Sequence, residues 1–179
     1  MTRPRLLVCG AGLVLFGAIV AAAADVRVTP LVRDGRVWVS FGLADGFTDG
    51  VREAILSGLS ITFSYDIELR RSVPFWPDRT LKMTTIAVSV KYDSLTRRYQ
   101  LARTLDGRVE ANKVTEDEDE VRRWLTGLDS VQLFATAGLE ANTEYYVRVR
   151  ARTQPNDSWF RWPWDRGLVS ATANFTFIP

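Results

Sequence analysis

The sequence predicts an all-β domain: an antiparallel β-sandwich with two short helical insertions, behind an N-terminal signal peptide. Three observations lead to this fold class. Apolar residues recur with a period of two through most of the chain, an Asp34-Gly35 turn separates two such stretches, and only two short stretches carry helical spacing. Such alternation is typical of antiparallel sheets that bury one face and leave the other in water.

Residues 1–24 are predicted to be a secretory signal peptide, which leaves 25–179 as a single domain. Arg3 and Arg5 precede an apolar run from Leu6 to Val20, and Ala22-x-Ala24 has the form of a cleavage site. The alternative is an uncleaved anchor helix, but a span needs about 20 apolar residues and glycines interrupt this one. We therefore expect a periplasmic, exported protein. If the segment is retained, the protein is anchored in the inner membrane and the segment supplies the membrane contact.

The strand pattern is clearest from Ile61 to Leu69, where five apolar residues alternate with polar ones. The pattern predicts a core that includes Phe63, Tyr65 and Val147. Arg148, Arg150 and Arg152 are expected on a solvated face opposite Asp66 and Glu68, although such a row also suits an anionic ligand. Further strands are predicted at 28–32, 37–43, 86–92, 99–101, 131–135, 145–151 and 171–177, and a turn is predicted at Asp93-Ser94. In each strand the alternating apolar residues are expected to face the core. In 131–135 these are Val131, Leu133 and Ala135.

Two helices are predicted between the strands. Asp49–Leu56 places Val51, Ala54 and Ile55 on one face. Thr115–Leu125 begins with a capping box of Thr115 and Glu118, and its acidic run lies at the positive end of the helix dipole.

Composition excludes several function classes. The chain has no histidine, and its one cysteine, Cys9, lies in the predicted signal peptide. The mature protein is therefore expected to have no disulfide, thiol nucleophile, histidine base, or His or Cys metal ligand. Two of the 23 basic residues lie in the signal peptide, so 21 remain against 21 acidic residues, which argues against a nucleic-acid-binding surface. No enzyme activity, metal or cofactor is expected.

An aromatic stretch before the last predicted strand is the leading binding-site candidate. SWFRWPWDRG (158–167) combines aromatic rings with arginines, the residue types of interface hot spots. It contacts a partner or covers one end of the core, and both interpretations stay open. The candidate contact residues are Trp159, Arg161, Trp162, Trp164 and Arg166, with Trp76 from the similar stretch FWPDR (75–79).

The two Trp-Pro stretches are either unrelated or similar loops at one end of the molecule. Their carboxylates, Asp78 and Asp165, suggest the acid pair of a glycoside hydrolase. Pairing of each aspartate with the adjacent Arg79 or Arg166 is the favoured interpretation.

Several pieces of the chain resemble a bacterial exported family known as domain of unknown function 4390. YDSLTRRYQL (92–101) is similar to its Tyr-x-x-Leu-Thr-x-x-Tyr hairpin. VREAILSGLSITFSYDIELRRSVPFW (51–76) and YYVRVRARTQ (145–154) resemble its helix with long strand and its penultimate strand. The stretch 158–167 departs from the aliphatic segment of that family. The resemblance implies no established activity. It implies a link to envelope signalling, because genes of the family often lie near a membrane sensor kinase of the nitrogen-regulation type.

A second, local resemblance concerns the architecture. GLEANTEYYVRVRA (138–151) looks like the end of a fibronectin type III domain, which implies that Tyr145 forms a tyrosine corner. The predicted sandwich is therefore Ig-like or fibronectin-like.

The predicted function is that of a non-catalytic periplasmic protein that binds an envelope protein, with a membrane sensor kinase as the partner that the resemblance implies. The alternative is a carbohydrate-binding or carbohydrate-active protein that uses the Trp-Pro stretches. Docking of the aromatic stretch onto a membrane is a third hypothesis.

Cleavage of the signal peptide is tested on the native protein. N-terminal sequencing should begin at or near Asp25, because Ala22-x-Ala24 precedes it. Recovery of an intact Met1 end in the membrane fraction would replace this prediction with the anchored form.

Overall fold

The computed structural model describes residues 26–73, 75–155 and 169–178. These form two antiparallel sheets and two short helices, which confirms the predicted fold class. The elements are β1 (Val26–Arg33), β2 (Arg36–Leu43), α1 (Asp49–Leu56), β3 (Ile61–Arg71), β4 (Arg79–Asp93), β5 (Arg98–Leu105), β6 (Arg108–Thr115), α2 (Glu118–Thr126), β7 (Gly127–Ala135), β8 (Thr143–Pro155) and β9 (Val169–Phe177).

The strand order follows the immunoglobulin-like plan. One sheet has the order β1-β2-β7 and the other the order β6-β5-β4-β3-β8-β9. Strands β1, β2 and β7 stand where A, B and E lie in that plan, and β3, β8 and β9 stand where C, F and G lie. The tyrosine corner is present, since the Tyr145 hydroxyl accepts the backbone N–H of Glu140 at 2.8 Å.

Tight turns set the register of two hairpins. Asp34 and Gly35, with φ of 52° and 67°, join β1 to β2 as predicted, in the left-handed conformation that a two-residue hairpin turn requires. Asp106 and Gly107 make a second such turn between β5 and β6. Strand β6 was not among the predicted strands. It lies at a sheet edge with most residues exposed, so its sequence carries no alternation.

The core lies between the sheets and centres on β3. Phe63, Tyr65 and Val147 are buried there, as predicted. The Tyr65 ring lies 4.5 Å from that of Phe41 in the other sheet, and its hydroxyl donates to the Leu125 carbonyl of α2 at 2.5 Å. One side chain thus connects both sheets and a helix.

Helix α1 has the predicted bounds and buries its predicted face of Val51, Ala54 and Ile55. Helix α2 begins three residues later than predicted. Its N-cap is Asp117, whose carboxylate accepts the N–H of Asp119 at 2.9 Å. The predicted cap, Thr115, is instead the last residue of β6, because pairing with Tyr99 of β5 holds it in the sheet.

The predicted inward face of β7 is only partly correct. Val131 and Leu133 pack against the core half-buried, but Phe134, on the opposite alternate, is buried as well. The β2–β7 register shifts between Val37 and Trp38, and this irregularity turns Phe134 inward.

The Tyr-x-x-Leu-Thr-x-x-Tyr stretch forms the turn of the β4–β5 hairpin and the tyrosine pair that flanks it. Tyr92 and Tyr99 are cross-strand partners in the β4–β5 hairpin, with ring centroids 4.9 Å apart. The Asp93 carboxylate accepts the backbone N–H groups of Leu95 and Thr96 and closes the turn. Leu95 itself is 94% exposed.

Truncation tests the face assignment of β3. Phe63→Ala should lower the free energy of unfolding by about 3–5 kcal/mol, because it removes a buried ring from the core. Thr62→Ala, one residue away on the outer face, is the control and should cost far less. Equal losses in chemical denaturation would contradict the assignment.

Candidate functional site

The outer face of β3 is buried, contrary to the prediction of a solvated face. Asp66 and Glu68 are only 4% and 3% exposed. Carboxylates out of contact with water must be neutralised by close partners, since their desolvation costs several kcal/mol. The neighbouring strand β8 supplies these partners.

Four arginines cover the two carboxylates, and we call the set Arg70, Arg148, Arg150 and Arg152 the arginine ladder. Arg148 donates to Glu68 at 2.5 Å, and Arg150 binds the other oxygen of the same carboxylate. Arg152 pairs with Asp66, and Arg70 lies 3.6 Å from Glu68. The predicted opposition of the arginine row to Asp66 and Glu68 is correct. The row nevertheless has a structural role that the sequence did not reveal.

A polar cleft of about 350 Å³ opens beside the end of the ladder where β3 leaves the sheet. It is lined by Ser72, Asp78, Glu144, Tyr146, Arg148, Thr172 and Asn174. The lining combines carboxylate, guanidinium, phenol, amide and hydroxyl groups, so the cleft offers both donors and acceptors to a ligand.

Asp78 is held in this cleft by a network of donors. The Tyr146 hydroxyl donates to its carboxylate at 2.5 Å, and Arg70 donates to its backbone carbonyl at 2.8 Å. The bond from Tyr146 and further bonds from Ser72 and the Val73 backbone lower the pKa of Asp78. The expected partner Arg79 is not among these donors. Burial and the bond to Asp78 raise the pKa of Tyr146.

The loop between β3 and β4 carries two aromatic side chains into solvent. Its ends, Ser72 and Asp78, line the cleft, so its tip lies at the rim. Phe75 is fully exposed and Trp76 is 75% exposed. Phe75 also has a φ of 67°, a left-handed conformation that is strained for a bulky residue. We call Phe75 and Trp76 the aromatic tip.

Of the sequence-predicted contact residues, the structure describes Trp76 alone. The other five, Trp159, Arg161, Trp162, Trp164 and Arg166, lie outside the described residues. So does Asp165, the proposed catalytic partner of Asp78.

The strand ends that precede the two Trp-Pro stretches lie at opposite ends of the β3–β8 pair. Arg71, before the first stretch, pairs with Tyr145, whereas Pro155, before the second, pairs with Ile61. Ten residues of strand separate these positions, a distance of about 33 Å. The stretch 158–167 itself lies outside the described residues, so the interpretation of two similar loops at one end of the molecule stays a prediction.

Sequence analysis missed other members of the site. Tyr146 was passed over because it lies on the polar alternate of β8, and Phe75 because a single aromatic residue carries no pattern. Among the described residues, no group of three or more His, Cys, Asp or Glu side chains is arranged to hold a metal ion. In the same ranges neither helix has the length and apolarity needed to span a bilayer.

Comparison with known proteins identifies one family. The family model described as "Domain of unknown function (DUF4390)" matches residues 22–158. The match includes β1 to β8 and the aromatic tip, and it ends before Trp159. No curated protein and no solved structure matches the chain.

Loss of the buried carboxylate tests the ladder. Glu68→Ala should lower the free energy of unfolding by about 3–5 kcal/mol, because it leaves Arg148 and Arg150 facing each other without their anion. Glu140→Ala is the matched control, since Glu140 is an exposed partner of Arg71, and it should change stability far less. Equal effects in urea denaturation would show that the ladder is not structural.

The pKa of Asp78 tests the cleft network. Because this pKa is lowered by folding, ionised Asp78 stabilises the fold above the ordinary aspartate pKa, and the contribution is lost as pH falls through the lowered value. Tyr146→Phe should move the pKa of Asp78 back toward its ordinary value and make the loss of stability in acid shallower. NMR titration of the Asp78 carboxyl carbon measures the shift. An unchanged titration would contradict the network.

Proposed function

We infer that this chain, which belongs to the family of domain of unknown function 4390, is a non-catalytic protein-interaction module of the bacterial envelope. Its contact surface in this proposal is the aromatic tip together with the polar cleft. Periplasmic export rests on the signal-peptide pattern of residues 1–24.

The observation that carries the proposal is the exposure of Phe75 in a strained backbone conformation. A buried ring offsets such strain by its packing, but the ring of Phe75 is fully exposed. Glycine would adopt this φ without strain. Strained, exposed aromatic residues are typical of sites selected for binding rather than for stability.

The polar cleft adds directional contacts to the apolar ones of the aromatic tip. Trp, Tyr and Arg side chains are the residue types enriched at interface hot spots, and the aromatic tip and the cleft supply one of each. Arg148 and Tyr146 extend from β8, a strand fixed on both sides by β3 and β9. Such a surface is preorganised, so a partner would meet it with little ordering cost.

An accessory role in membrane signalling follows from the family. Its association with genes of membrane sensor kinases makes the extracytoplasmic part of such a kinase the first partner to test. The composition supports a role without catalysis, because the chain has no histidine and its one cysteine lies in the predicted signal peptide.

The carbohydrate alternative is favoured by one observation. An exposed Trp76 stands at the rim of a cleft with carboxylate, amide and hydroxyl groups, a combination that suits stacking on a sugar ring and bonding to its hydroxyls.

Site-specific crosslinking tests the interaction surface. A photo-crosslinking amino acid in place of Trp76 should capture an envelope protein in living cells, and the same amino acid at Leu95 should not. Leu95 is the matched control because it is even more exposed than Trp76 but lies in the β4–β5 turn. Equal capture at both positions, or none at Trp76, would contradict the proposal.

A double variant separates binding from folding. Phe75→Gly with Trp76→Ala should keep the thermal midpoint within about 2–4 °C of wild type, because the side chains are exposed and glycine relieves the positive φ. The double variant should no longer bind the protein that the crosslinking amino acid at position 76 captures. A large drop in the midpoint would show that the aromatic tip is part of the fold. Quenching of Trp76 fluorescence by oligosaccharides, with no protein captured, would establish the carbohydrate alternative instead.

A further inference from the structure

The accessible charge of the arginine ladder is positive. Its four guanidinium groups face two carboxylates, so the cluster carries an excess of two positive charges. The carboxylates are buried, whereas the side chains of Arg148, Arg150 and Arg152 are 28%, 31% and 48% exposed. A molecule that approaches this face meets the cations and not the acids beneath them.

The arginine ladder also has hydrogen-bond donors that its ion pairs with Asp66 and Glu68 do not use. The ion pairs engage one Nη2 nitrogen each of Arg148, Arg150 and Arg152, while a guanidinium has five N–H donors. The Nε–H groups of Arg148 and Arg150 are buried, so the donors left for a ligand are those of the Nη nitrogens. The acids, by contrast, are satisfied: Glu68 binds a ladder arginine through each oxygen, and Asp66 binds Arg152 and the hydroxyl of Thr85. The unused capacity of the ladder is therefore donor capacity, which suits carboxylate oxygens.

Among the described residues, a groove on the same face as the ladder has no carboxylate in its lining. The groove has a volume of about 420 Å³ and is lined by Ser60, Ser89, Lys91, Gln100, Leu101, Ala102, Asn112, Lys113 and Val114. Its ionic lining consists of lysines, and Lys91 lies on the strand after β3. The acids of the cleft, Asp78 and Glu144, lie at the other end of β8. Charge on this face thus changes from acidic at the cleft to basic at Arg152.

We propose that the arginine ladder binds an extended acidic segment of a partner protein. Arginines at every second position of β8 repeat at about 6.6–6.8 Å, the spacing of alternate side chains in any extended chain. A segment with acidic residues at alternate positions matches this repeat. The inference takes from the proposed function only that the chain binds a protein, and it assigns that binding to a second surface.

Synthetic peptides test the spacing and the charge. Fluorescence anisotropy should show binding of a peptide in which glutamate alternates with serine. An isomer with the glutamates in one block should bind more weakly, and a lysine–serine analogue should not bind. Affinity should fall as NaCl is raised, since these charges are partly exposed. Equal binding of the two glutamate peptides, absence of binding, or insensitivity to salt would overturn the proposal.

Substitution of ladder arginines tests whether the peptide binds at the ladder. Arg150→Gln with Arg152→Gln should weaken the alternating peptide about tenfold, the scale of losing a charge-assisted bond. Glu68 keeps Arg148 and Arg70 in this variant, but Asp66 loses Arg152 and keeps the Thr85 hydroxyl, so circular dichroism checks that the variant folds. If the variant does not fold, the comparison of the two peptide isomers and the salt dependence, both measured on the wild-type protein, still test the proposal. Wild-type affinity in the double variant would overturn the assignment.

Two further binding experiments distinguish the ladder from the aromatic tip and a protein partner from a membrane surface. Phe75→Gly with Trp76→Ala should leave peptide affinity unchanged, so failure of the aromatic tip as an interface is distinguishable from failure of the ladder. Vesicles containing phosphatidylglycerol should bind no better than neutral ones. Strong binding to the anionic vesicles with none to the peptide would replace the protein partner by a membrane surface.

Discussion

The constraint on which the structure depends is the burial of two carboxylates on the outer face of its central strand. Asp66 and Glu68 belong to β3, which lies between β4 and β8 and buries both of its faces. Burial without partners would cost several kcal/mol each, so β8 must present its arginines opposite them. A register slip of one residue would place these arginines in the core and Val147 in water. The ion pairs therefore specify the β3–β8 pairing as strongly as the apolar core does.

Because of this arrangement, β8 contributes side chains to both proposed surfaces. Its outer row begins with Glu144 and Tyr146 at the cleft and continues with arginines toward Pro155. The aromatic tip stands at the first end, where apolar contact and polar bonds combine. The second end is cationic, because the acids that balance it are buried. A single rigid strand can thus serve two partners, or two parts of one partner, on adjoining surfaces that share Arg148.

Several elements of this chain are additions to an immunoglobulin-like frame. The β4–β5 hairpin with its tyrosine pair, the edge strand β6 and helix α2 follow one another between the strands that correspond to C and E. Arg103 of β5 stacks on Trp124 of α2 at 4.3 Å, which fastens the helix over the extended sheet. The matched range of the family ends before Trp159. The aromatic tip belongs to the part of the chain that the family shares, whereas the aromatic stretch 158–167 lies almost wholly beyond it.

The sequence by itself determined the sandwich, the inward face of β3 and β8, the Asp34-Gly35 hairpin and helix α1, because each follows from local periodicity or turn chemistry. It also placed the arginine row of β8 opposite Asp66 and Glu68. Only the tertiary structure decided that these carboxylates are buried, since strand alternation distinguishes two faces but does not show what covers the second one. The same holds for β6, for the Asp117 cap and for the cleft, whose members come from the β3–β4 loop, β8 and β9. Side chains distant in sequence, such as Asp78 and Tyr146, become one site only when β3 and β8 pair.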